Sequence, residues 1–594
     1  MTLNILNKIN EPKDLKSLSI EELNLLSSEI RDVLIKKVST TGGHFGPNLG
    51  MVEATIALHY VFNSPVDKFV YDVSHQSYTH KILTGRKEAF INPKKFGTVT
   101  GYTEPKESEH DFFTIGHTST SISLACGLAK GRDVVGGSEN IVAIIGDGSL
   151  SGGEAYEGLN NAAAYNKNII ILVNDNDMSI AENHGGLYQN LAILRESEGK
   201  SDNNFFKSLG FEYHFIKDGN NLESLIETFK KVKDTDHPVV IHMHTVKGKG
   251  YEDAEINKEA FHWVMPFDLE TKEPIFNGEY AKSYGDITEE FLIEKAKKDK
   301  SIVAITAATP GSVGVNRFRR MLQDQYVDVG IAEEHAIALA SGIAKRGGKP
   351  VAGFSSSFIQ RTYDQLSQDL AINNNPATIM VYWGGISDGD VTHLGLFDIP
   401  LISNIPNIVY LAPTTKEEHL AMVEWAIEQD KHPVAIRVPN MEVVSTGVEV
   451  EPNFDELNKY IKVEEGSEVA IIGLGSFFHL GKRVKDKLKE SGINATLINP
   501  RFITGVDEEL LNGLEENHKL VITLEDGALD GGFGEKISRF YGGKAMRVLN
   551  FGATKEFTDN VPLEELYERY HLTEELIVAD IEKVIEDIKV LDLH

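Results

Sequence analysis

Two short runs made only of apolar residues, 141–145 and 169–173, constrain the fold of this chain more than any other feature. Runs of this length without polar alternation are typical of parallel strands that are buried on both faces of a sheet. The stretch between them, 153–165, is rich in small residues and is predicted to form a helix. Strand, helix and strand in this order predict a right-handed crossover within a parallel sheet.

The same alternation recurs twice further along the chain. Further strands are predicted at 326–329, 350–354, 378–381 and 408–411, and then at 469–472, 495–498, 520–523 and 546–549. Polar stretches near 265–287 and 441–466 are the predicted linkers. The predicted fold class is therefore α/β, with three doubly wound α/β domains in series at 1–270, 280–443 and 460–594.

Length and charge limit the classes of function. The chain has 594 residues, more than one hydrophobic core can serve, and a formal net charge of −30. The acidic excess argues against nucleic acid and membrane as partners, because both require a basic face. Cys126 is the only cysteine, so the reducing cytoplasm is the predicted location. No signal peptide and no apolar run of membrane-spanning length is found.

The clearest chemical signal is the strand–helix junction Gly146-Asp147-Gly148-Ser149. Glycines at such a turn let the backbone approach a phosphate. Asn176 follows the next predicted strand, 29 residues after Asp147 (176 − 147), so both side chains are expected at the carboxyl edge of adjacent strands. A carboxylate, an amide oxygen and a nearby carbonyl suit Mg²⁺. The alternative is that Asp147 only caps a helix and Asn176 only closes a turn.

The segment GDGSLSGGEAYEGLNNAA, followed by NDNDMS, resembles the diphosphate motif of thiamine-diphosphate enzymes, and specifically that of the 1-deoxy-D-xylulose-5-phosphate synthase family. The similarity covers nearly the whole chain in the same order. It runs through GGHFGPNLG (42–50), DVSHQSYTHKILTGR (72–86), GHTSTSIS (116–123), KGKGY (247–251), GIAEEHA (330–336), FIQRTYDQ (358–365), THLGLFD (392–398) and PRF (500–502).

This resemblance implies a transketolase-like, thiamine-diphosphate-binding fold. The domain at 1–270 would bind the diphosphate and Mg²⁺, the domain at 280–443 would bind the pyrimidine, and 460–594 would be the C-terminal transketolase-type domain. Mg²⁺ would be held by Asp147, Asn176 and the carbonyl of Met178. Thiamine diphosphate would be lined by His75, Gly116, His117, Thr118, Gly146, Gly148, Ser149, Asn176, Tyr251, Glu333 and Phe358.

The resemblance also implies the catalytic residues, which are Glu333, His44, His393, Arg361 and His262. Glu333 matches the family's catalytic glutamate, which bonds a ring nitrogen of the aminopyrimidine and so activates the cofactor. A carboxyl group in that role requires a dry site and a raised pKa. From the residues alone, Glu333 is an exposed carboxylate at a helix start, Phe358 is a core residue, and the histidines are turn residues.

The implied activity is that of a transferase acting on small-molecule substrates. Pyruvate would lose CO₂, and its two-carbon unit would pass to an aldehyde, giving 1-deoxy-D-xylulose 5-phosphate or a related 1-deoxyketose. The alternatives are transketolase-type ketol transfer with a different donor or acceptor, and a catalytically silent paralogue that only binds the cofactor. The family is usually homodimeric, so a homodimer is expected.

The acceptor half of the site departs from the family pattern. The family binds the acceptor phosphate with two arginines, and here Trp383 and Asn440 occupy those positions. Neither residue replaces the charge of an arginine. Arg361 and Arg437 lie nearby in sequence as possible substitutes. The hypothesis is an acceptor other than glyceraldehyde 3-phosphate, and the alternative is a divergent but ordinary synthase.

Overall fold

The computed structural model describes residues 3–275 and 281–592. The chain divides into two compact units: Met1–Glu279 with Gly330–Ala332, and Tyr280–Val329 with Glu333–His594. Each unit is built on parallel sheets with helices, which confirms the predicted α/β fold class.

The first unit contains a five-stranded parallel sheet of order β2-β3-β4-β6-β5 and a small antiparallel pair, β1 with β7. Its strands are β1 Gly43–His44, β2 Lys68–Tyr71, β3 Ile141–Gly146, β4 Ile169–Asp175, β5 Glu212–Ile216, β6 Pro238–His244 and β7 Trp263–Val264. Its helices are α1 Ile20–Thr41, α2 Gly46–Gly50, α3 Val52–Val61, α4 Tyr78–Lys81, α5 Glu88–Ile91, α6 Ser121–Val135, α7 Gly153–Ala163, α8 Gly186–Glu196, α9 Phe205–Ser208, α10 Leu222–Val232 and α11 Glu252–Ile256.

The apolar runs that predicted this sheet form its centre. In β3, Ile141, Ala143 and Ile145 face one hydrophobic core, and Val142 and Ile144 face another on the opposite side. Both faces are therefore covered, which explains why the run contains no polar residue. β3 and β4 are adjacent and parallel, as the sequence predicted.

The second unit contains two sheets. A six-stranded parallel sheet has the order β12-β13-β11-β10-β8-β9, and a five-stranded sheet has the order β14-β16-β15-β17-β18, with only β14 antiparallel. The strands are β8 Ile302–Thr306, β9 Tyr326–Asp328, β10 Lys349–Ser355, β11 Thr378–Tyr382, β12 Val409–Leu411, β13 Val434–Arg437, β14 Ile461–Glu464, β15 Glu468–Gly473, β16 Thr496–Asn499, β17 His518–Ala528 and β18 Arg547–Ala553. The helices are α12 Tyr284–Lys298, α13 Asn316–Met321, α14 Glu333–Lys345, α15 Asp398–Ser403, α16 Lys416–Glu428, α17 Phe477–Glu490, α18 Glu508–Leu514, α19 Phe533–Tyr541, α20 Leu563–Arg569 and α21 Glu574–Asp592.

The two sheets of the second unit share one hydrophobic core. Ile379 and Val381 of β11 belong to the same buried cluster as Ile472 of β15 and Val521 of β17. This common core is why both sheets fall within one compact unit. Among the described residues, no helix is long and apolar enough to cross a membrane.

A buried ionic network also joins these two sheets. Arg437, the last residue of β13, donates from Nε to Asp398 at 2.7 Å and from Nη1 to Asp526 of β17. Tyr410 donates to the same Asp398, and Ser476 donates to Asp526 at 2.7 Å. The Arg437 side chain is only 6% exposed. A guanidinium group shared by two carboxylates therefore satisfies charges that water cannot reach.

Arg437→Met should lower the free energy of unfolding of the second unit by about 3–5 kcal/mol, because it leaves two buried carboxylates without their counter-charge. Urea denaturation followed by tryptophan fluorescence measures this loss. The exposed Arg539, in α19 of the same unit, offers the matched control, and Arg539→Met should change stability by less than about 0.5 kcal/mol. An Arg437→Met protein as stable as the wild type would show that the network contributes nothing net.

Candidate functional site

In the first unit, the carboxyl ends of β3 and β4 bring the predicted metal-site residues together. Asp147 follows β3, and its Oδ2 accepts hydrogen bonds from the backbone N–H of Met178 at 3.1 Å and from Asn183 Nδ2 at 2.8 Å. Asp147 makes no side-chain cap to the short helical turn that follows it. The helix-cap alternative is therefore wrong, and Asp147 instead faces the loop after β4.

The polar atoms at this edge are strongly desolvated. Burial, reinforced by the charge of Asp175, raises the pKa of Asp147 above its usual value. The amide oxygen Oδ1 of Asn176 is buried and has no hydrogen-bond partner within the described part of the chain. Lys247 is buried beside them and donates from Nζ to the carbonyl of Ser179 at 2.7 Å, and burial lowers its pKa to about 8. The edge therefore presents oxygen ligands and one buried cation.

Three histidines from distant parts of the first unit form one cluster. The ring centroids of His44 and His75 are 4.9 Å apart, those of His44 and His262 are 5.6 Å apart, and those of His75 and His262 are 5.3 Å apart. Asn48 links two of them by donating to the carbonyls of His44 at 2.8 Å and His75 at 2.7 Å. Desolvation, together with the charge of Lys247, holds the pKa of His262 well below its usual range.

The backbone around His75 is strained. Val73 and Ser74 have φ angles of 57° and 64°, which a β-branched residue such as Val73 adopts rarely. The buried carboxylate of Asp72 accepts hydrogen bonds from the N–H groups of Ser119 at 2.8 Å and Ser121 at 3.0 Å. This contact fixes the chain just after the Gly116-His117-Thr118 turn to the segment that carries His75.

Tyr251 lies at the start of α11 in the same unit. Its ring contacts Phe45 edge to face, with centroids 5.2 Å apart. Its hydroxyl is buried and has no hydrogen-bond partner among the residues described. A buried phenol in this state can accept or donate a bond to a bound molecule.

In the second unit, Glu333 is the first residue of α14 and is only 4% exposed. Its Oε2 has no hydrogen-bond partner among the described residues, and Arg361 Nη1 lies 3.8 Å away from it. Burial raises the pKa of Glu333 to about 7, although the positive charge of Arg361 opposes the shift. The expected dry site and raised pKa are confirmed, and the exposed-carboxylate alternative is wrong.

Phe358 and His393 also meet in the second unit. Their ring centroids are 5.6 Å apart in an edge-to-face arrangement. The ring of His393 is oriented by Thr392 Oγ1, which lies 2.8 Å from Nδ1, and by Asp390 at 3.3 Å. Phe358 is partly exposed, which does not match the interpretation of it as a simple core residue.

Three family models match consecutive parts of the chain. The one described as 1-deoxy-D-xylulose-5-phosphate synthase matches residues 6–202 and 198–245. The transketolase pyrimidine binding domain matches 281–444, and the transketolase C-terminal domain matches 458–577.

Curated relatives match nearly end to end. A 1-deoxy-D-xylulose-5-phosphate synthase from Caldanaerobacter subterraneus subsp. tengcongensis is 40% identical over 617 residues, covering 97% of this chain and 98% of that protein. A protein of the same name from Halothermothrix orenii is 39% identical over 630 residues, covering 98% of each. The chain belongs to the 1-deoxy-D-xylulose-5-phosphate synthase family.

The two positions where the sequence analysis expected arginines for the acceptor phosphate, Trp383 and Asn440, lie in the second unit. Trp383 is 55% exposed, has a φ of 60°, and donates from Nε1 to the carbonyl of Ser312 at 2.9 Å. Asn440 is exposed and lines a cavity of about 410 Å³ together with Gly384, Gly385 and Asp526. Arg437 is held by two carboxylates inside the protein, so the suggestion that it substitutes for a missing arginine is wrong.

Several residues that contact the predicted site residues were not singled out from the sequence. The resemblance had already marked the segments that contain Asn48, Asp72 and Lys247. The sequence did not show that these three polar side chains are buried, which is the property that would have distinguished them. No sequence pattern pointed to Asn183, because it lies in a loop 36 positions after Asp147, the residue that it contacts. Within the described residues, no group of three or more His, Cys, Asp or Glu side chains is placed to hold a metal, and the expected ligand set has a single carboxylate.

In the cofactor-free protein, Glu333→Gln should raise the free energy of unfolding at pH 8 by on the order of 2 kcal/mol. The folded-state pKa of Glu333, about 7, lies above the ordinary value of 4.5. At pH 8 the wild type must therefore bury a charge that the unfolded chain keeps in water. Below about pH 4.5 the carboxyl group is neutral in both states, so the gain should grow as the pH rises from about 4.5 to 7 and then level off.

Chemical denaturation across that pH range measures this gain. Glu334→Gln is the matched control, because Glu334 is the next residue of the same helix and is only half-buried. Its gain should be clearly smaller. Equal stability of the wild type and Glu333→Gln at pH 8 would contradict the burial argument.

Proposed function

We propose that this protein is a Mg²⁺- and thiamine-diphosphate-dependent transferase that decarboxylates pyruvate and joins the remaining two-carbon unit to an aldehyde. The product is a 1-deoxyketose, which is 1-deoxy-D-xylulose 5-phosphate when the acceptor is glyceraldehyde 3-phosphate. Membership of the synthase family supports this activity. The observation that carries it is Glu333, a buried carboxyl group with an unpartnered oxygen and a pKa of about 7.

The residues at the edge of the first sheet fit Mg²⁺. The Oδ1 of Asn176 is buried without a partner, and the carboxylate of Asp147 is buried close to the backbone of Met178. Mg²⁺ prefers such hard oxygen ligands and shares them with phosphate oxygens. In our proposal the ligands are Asp147, Asn176 and the carbonyl of Met178. The bound cation would offset the cost of burying Asp147.

The same edge suits a diphosphate. Gly146, Gly148 and Ser149 line the turn after β3, and the Lys247 ammonium supplies positive charge in a chain that is strongly acidic overall. A hypothetical Cβ on Gly148 would lie 2.9 Å from Ser179, so only glycine allows this close approach. His75, the Gly116–Thr118 turn, Tyr251 and Phe358 are the further proposed contacts with the cofactor.

Thiamine diphosphate, when bound, supplies a nucleophilic carbon and accepts the electron pair released by decarboxylation. Glu333 would share a proton from its Oε2 with a ring nitrogen, and a pKa near neutrality suits that exchange. Arg361, 3.8 Å from Glu333, would orient an oxygen of the acceptor or intermediate. His44, His262 and His393 would bind substrate oxygens and transfer protons, because a neutral imidazole can do both.

The acceptor side favours an aldehyde that is not recognised through a phosphate group. The two expected arginine positions hold Trp383 and Asn440, and Arg437 is committed to Asp398 and Asp526. Among the described residues that line the cavity with Asn440, Arg483 is the only lysine or arginine, and it is paired with Glu574. With both expected arginines absent and Arg437 committed elsewhere, the phosphate adds less to binding, so phosphorylated and unphosphorylated acceptors should bind similarly.

We further propose three domains, at 1–270, 280–443 and 460–594, a homodimeric assembly, and a cytoplasmic location. The three sheets and the three consecutive family models support the division. A single cysteine supports a reducing compartment.

The activity is tested with pyruvate labelled with carbon-13 in its carboxyl group and a panel of aldehydes. We expect labelled CO₂ and a ketose two carbons longer than the aldehyde, detected by mass spectrometry. Glu333→Gln should lower kcat by about a thousandfold while the protein still binds metal. Ketose formation only when a ketose donor replaces pyruvate, without release of CO₂, would indicate transketolase-type transfer, and cofactor binding without turnover would indicate a silent paralogue. Either result would overturn the proposal.

Acceptor preference gives a separate prediction. The kcat/KM values for D-glyceraldehyde 3-phosphate and D-glyceraldehyde should agree within about tenfold, because the charged contacts worth about 1.5–3 kcal/mol each are missing. Asn440→Arg should raise kcat/KM for the phosphorylated aldehyde by about tenfold, and Asn440→Gln, which adds length without charge, should not. A wild-type preference of more than about a hundredfold for the phosphorylated aldehyde would contradict this argument.

A further inference from the structure

The end of β4 and the loop that follows it, residues 174–179, carry two of the proposed metal ligands, and we call this segment the metal loop. It contains the proposed ligands Asn176 and Met178. Asp175 precedes Asn176, and Asp177 lies between the two ligands. Asp177 has a φ of 61°, a conformation that a residue with a side chain rarely adopts. A loop in this conformation needs contacts from outside to keep its ligands in place.

Asp175 is the anchor of the metal loop. Its side chain is fully buried, and its Oδ1 accepts a hydrogen bond from the backbone N–H of Asp177 at 3.1 Å. The anchor carboxylate therefore braces the turn that contains the proposed ligand Asn176.

Arg195, which belongs to α8, donates hydrogen bonds to both acidic residues of the metal loop. Its Nη1 lies 2.8 Å from Asp175 Oδ1 and 2.7 Å from Oδ2, and its Nη2 donates to Asp177 at 2.8 Å. A planar guanidinium fixes the direction of its partners as well as their distance. Asp177 is thereby tied to Asp175 across the position of Asn176.

His242 holds the anchor from the neighbouring strand β6. Its Nε2 donates to Asp175 Oδ2 at 2.8 Å, and its Nδ1 lies 2.8 Å from the hydroxyl of Tyr213 on β5. The His242 side chain is fully buried. A carboxylate can only accept, so Nε2 carries the proton of the bond to Asp175, and the Tyr213 hydroxyl fixes the ring from its other nitrogen. The chain of contacts thus runs from the edge strand β5 to the metal loop.

We propose that Arg195, His242 and Tyr213 are positioning residues that hold the metal loop in the geometry its ligands need. The inference rests on the proposed function, because the ligands it positions are those proposed for Mg²⁺. None of the three side chains would touch the metal itself. Outer partners of this kind typically change metal affinity by about 10–100-fold when they are removed.

The test is binding of Mn²⁺, measured by electron paramagnetic resonance on the full chain in the presence of thiamine diphosphate. Arg195→Met should raise the Kd of Mn²⁺ by at least about tenfold, and Tyr213→Phe, which removes only a hydroxyl group, by about threefold. Arg195→Lys keeps the positive charge but loses the planar guanidinium that bonds both aspartates. The Kd of this variant for Mn²⁺ should therefore fall between those of Arg195→Met and the wild type.

Arg132→Met is the matched control. Arg132 is a buried arginine of the same unit, and its Nη1 donates to the carbonyls of Glu139 at 3.0 Å and Asn168 at 2.9 Å, before the amino ends of β3 and β4. Its loss should lower the melting temperature about as much as the loss of Arg195, but it should leave the Kd of Mn²⁺ within about twofold of the wild type, because no outer partner of the metal is removed.

The outcomes separate this inference from the proposed function. Wild-type affinity in both Arg195→Met and Tyr213→Phe would overturn the positioning role while leaving the function intact. Equal weakening in Arg195→Met and Arg132→Met would also overturn it, because the loss would then follow general stability. Failure of the wild type itself to bind Mn²⁺ would overturn the proposed function and the inference together.

Discussion

A buried oxygen atom without a partner costs free energy, and two of the atoms in this state, one in each unit, belong to residues that the proposed chemistry uses. Asn176 Oδ1 lies at the carboxyl edge of the first sheet, and Glu333 Oε2 lies at the start of α14. Buried polar groups are otherwise nearly always satisfied, so each exception requires an explanation. A metal ion for the first oxygen and a shared proton for the second would restore the missing interactions.

Parallel strands provide the means of positioning. Asp147 and the loop after β4 meet because β3 and β4 are adjacent and parallel, with Gly146 opposite Asn174. Buried polar residues then fix the connecting segments: Asn48 joins the backbones of His44 and His75, and Asp72 holds the chain after the 116–118 turn. The framework is therefore apolar inside the sheet and hydrogen-bonded at its edge. Strain at Val73 is tolerated because these contacts over-determine the loop.

The sequence was sufficient for the α/β fold class and for central strands such as β3 and β4, and insufficient for the contacts that connect distant segments. The apolar runs at 141–145 and 169–173 predicted β3 and β4 because only a doubly covered strand lacks polar positions. The pairing of Arg437 with Asp526 spans 89 positions, and that of Asp72 with Ser119 spans 47. Such pairs leave no periodic signal, so Arg437 was wrongly considered available to a substrate. The burial of Glu333 likewise follows from tertiary packing and not from its local sequence.

The account depends on the capture of a diphosphate cofactor by a magnesium ion at the edge of the first sheet. Calorimetric titration of the purified protein with thiamine diphosphate, carried out with saturating Mg²⁺ and again with a chelator, tests this most directly. The account predicts saturable, stoichiometric binding with the metal and at least a tenfold weaker interaction without it, because about 1.4 kcal/mol or more would come from the cation. No uptake of the cofactor at saturating Mg²⁺ would contradict it.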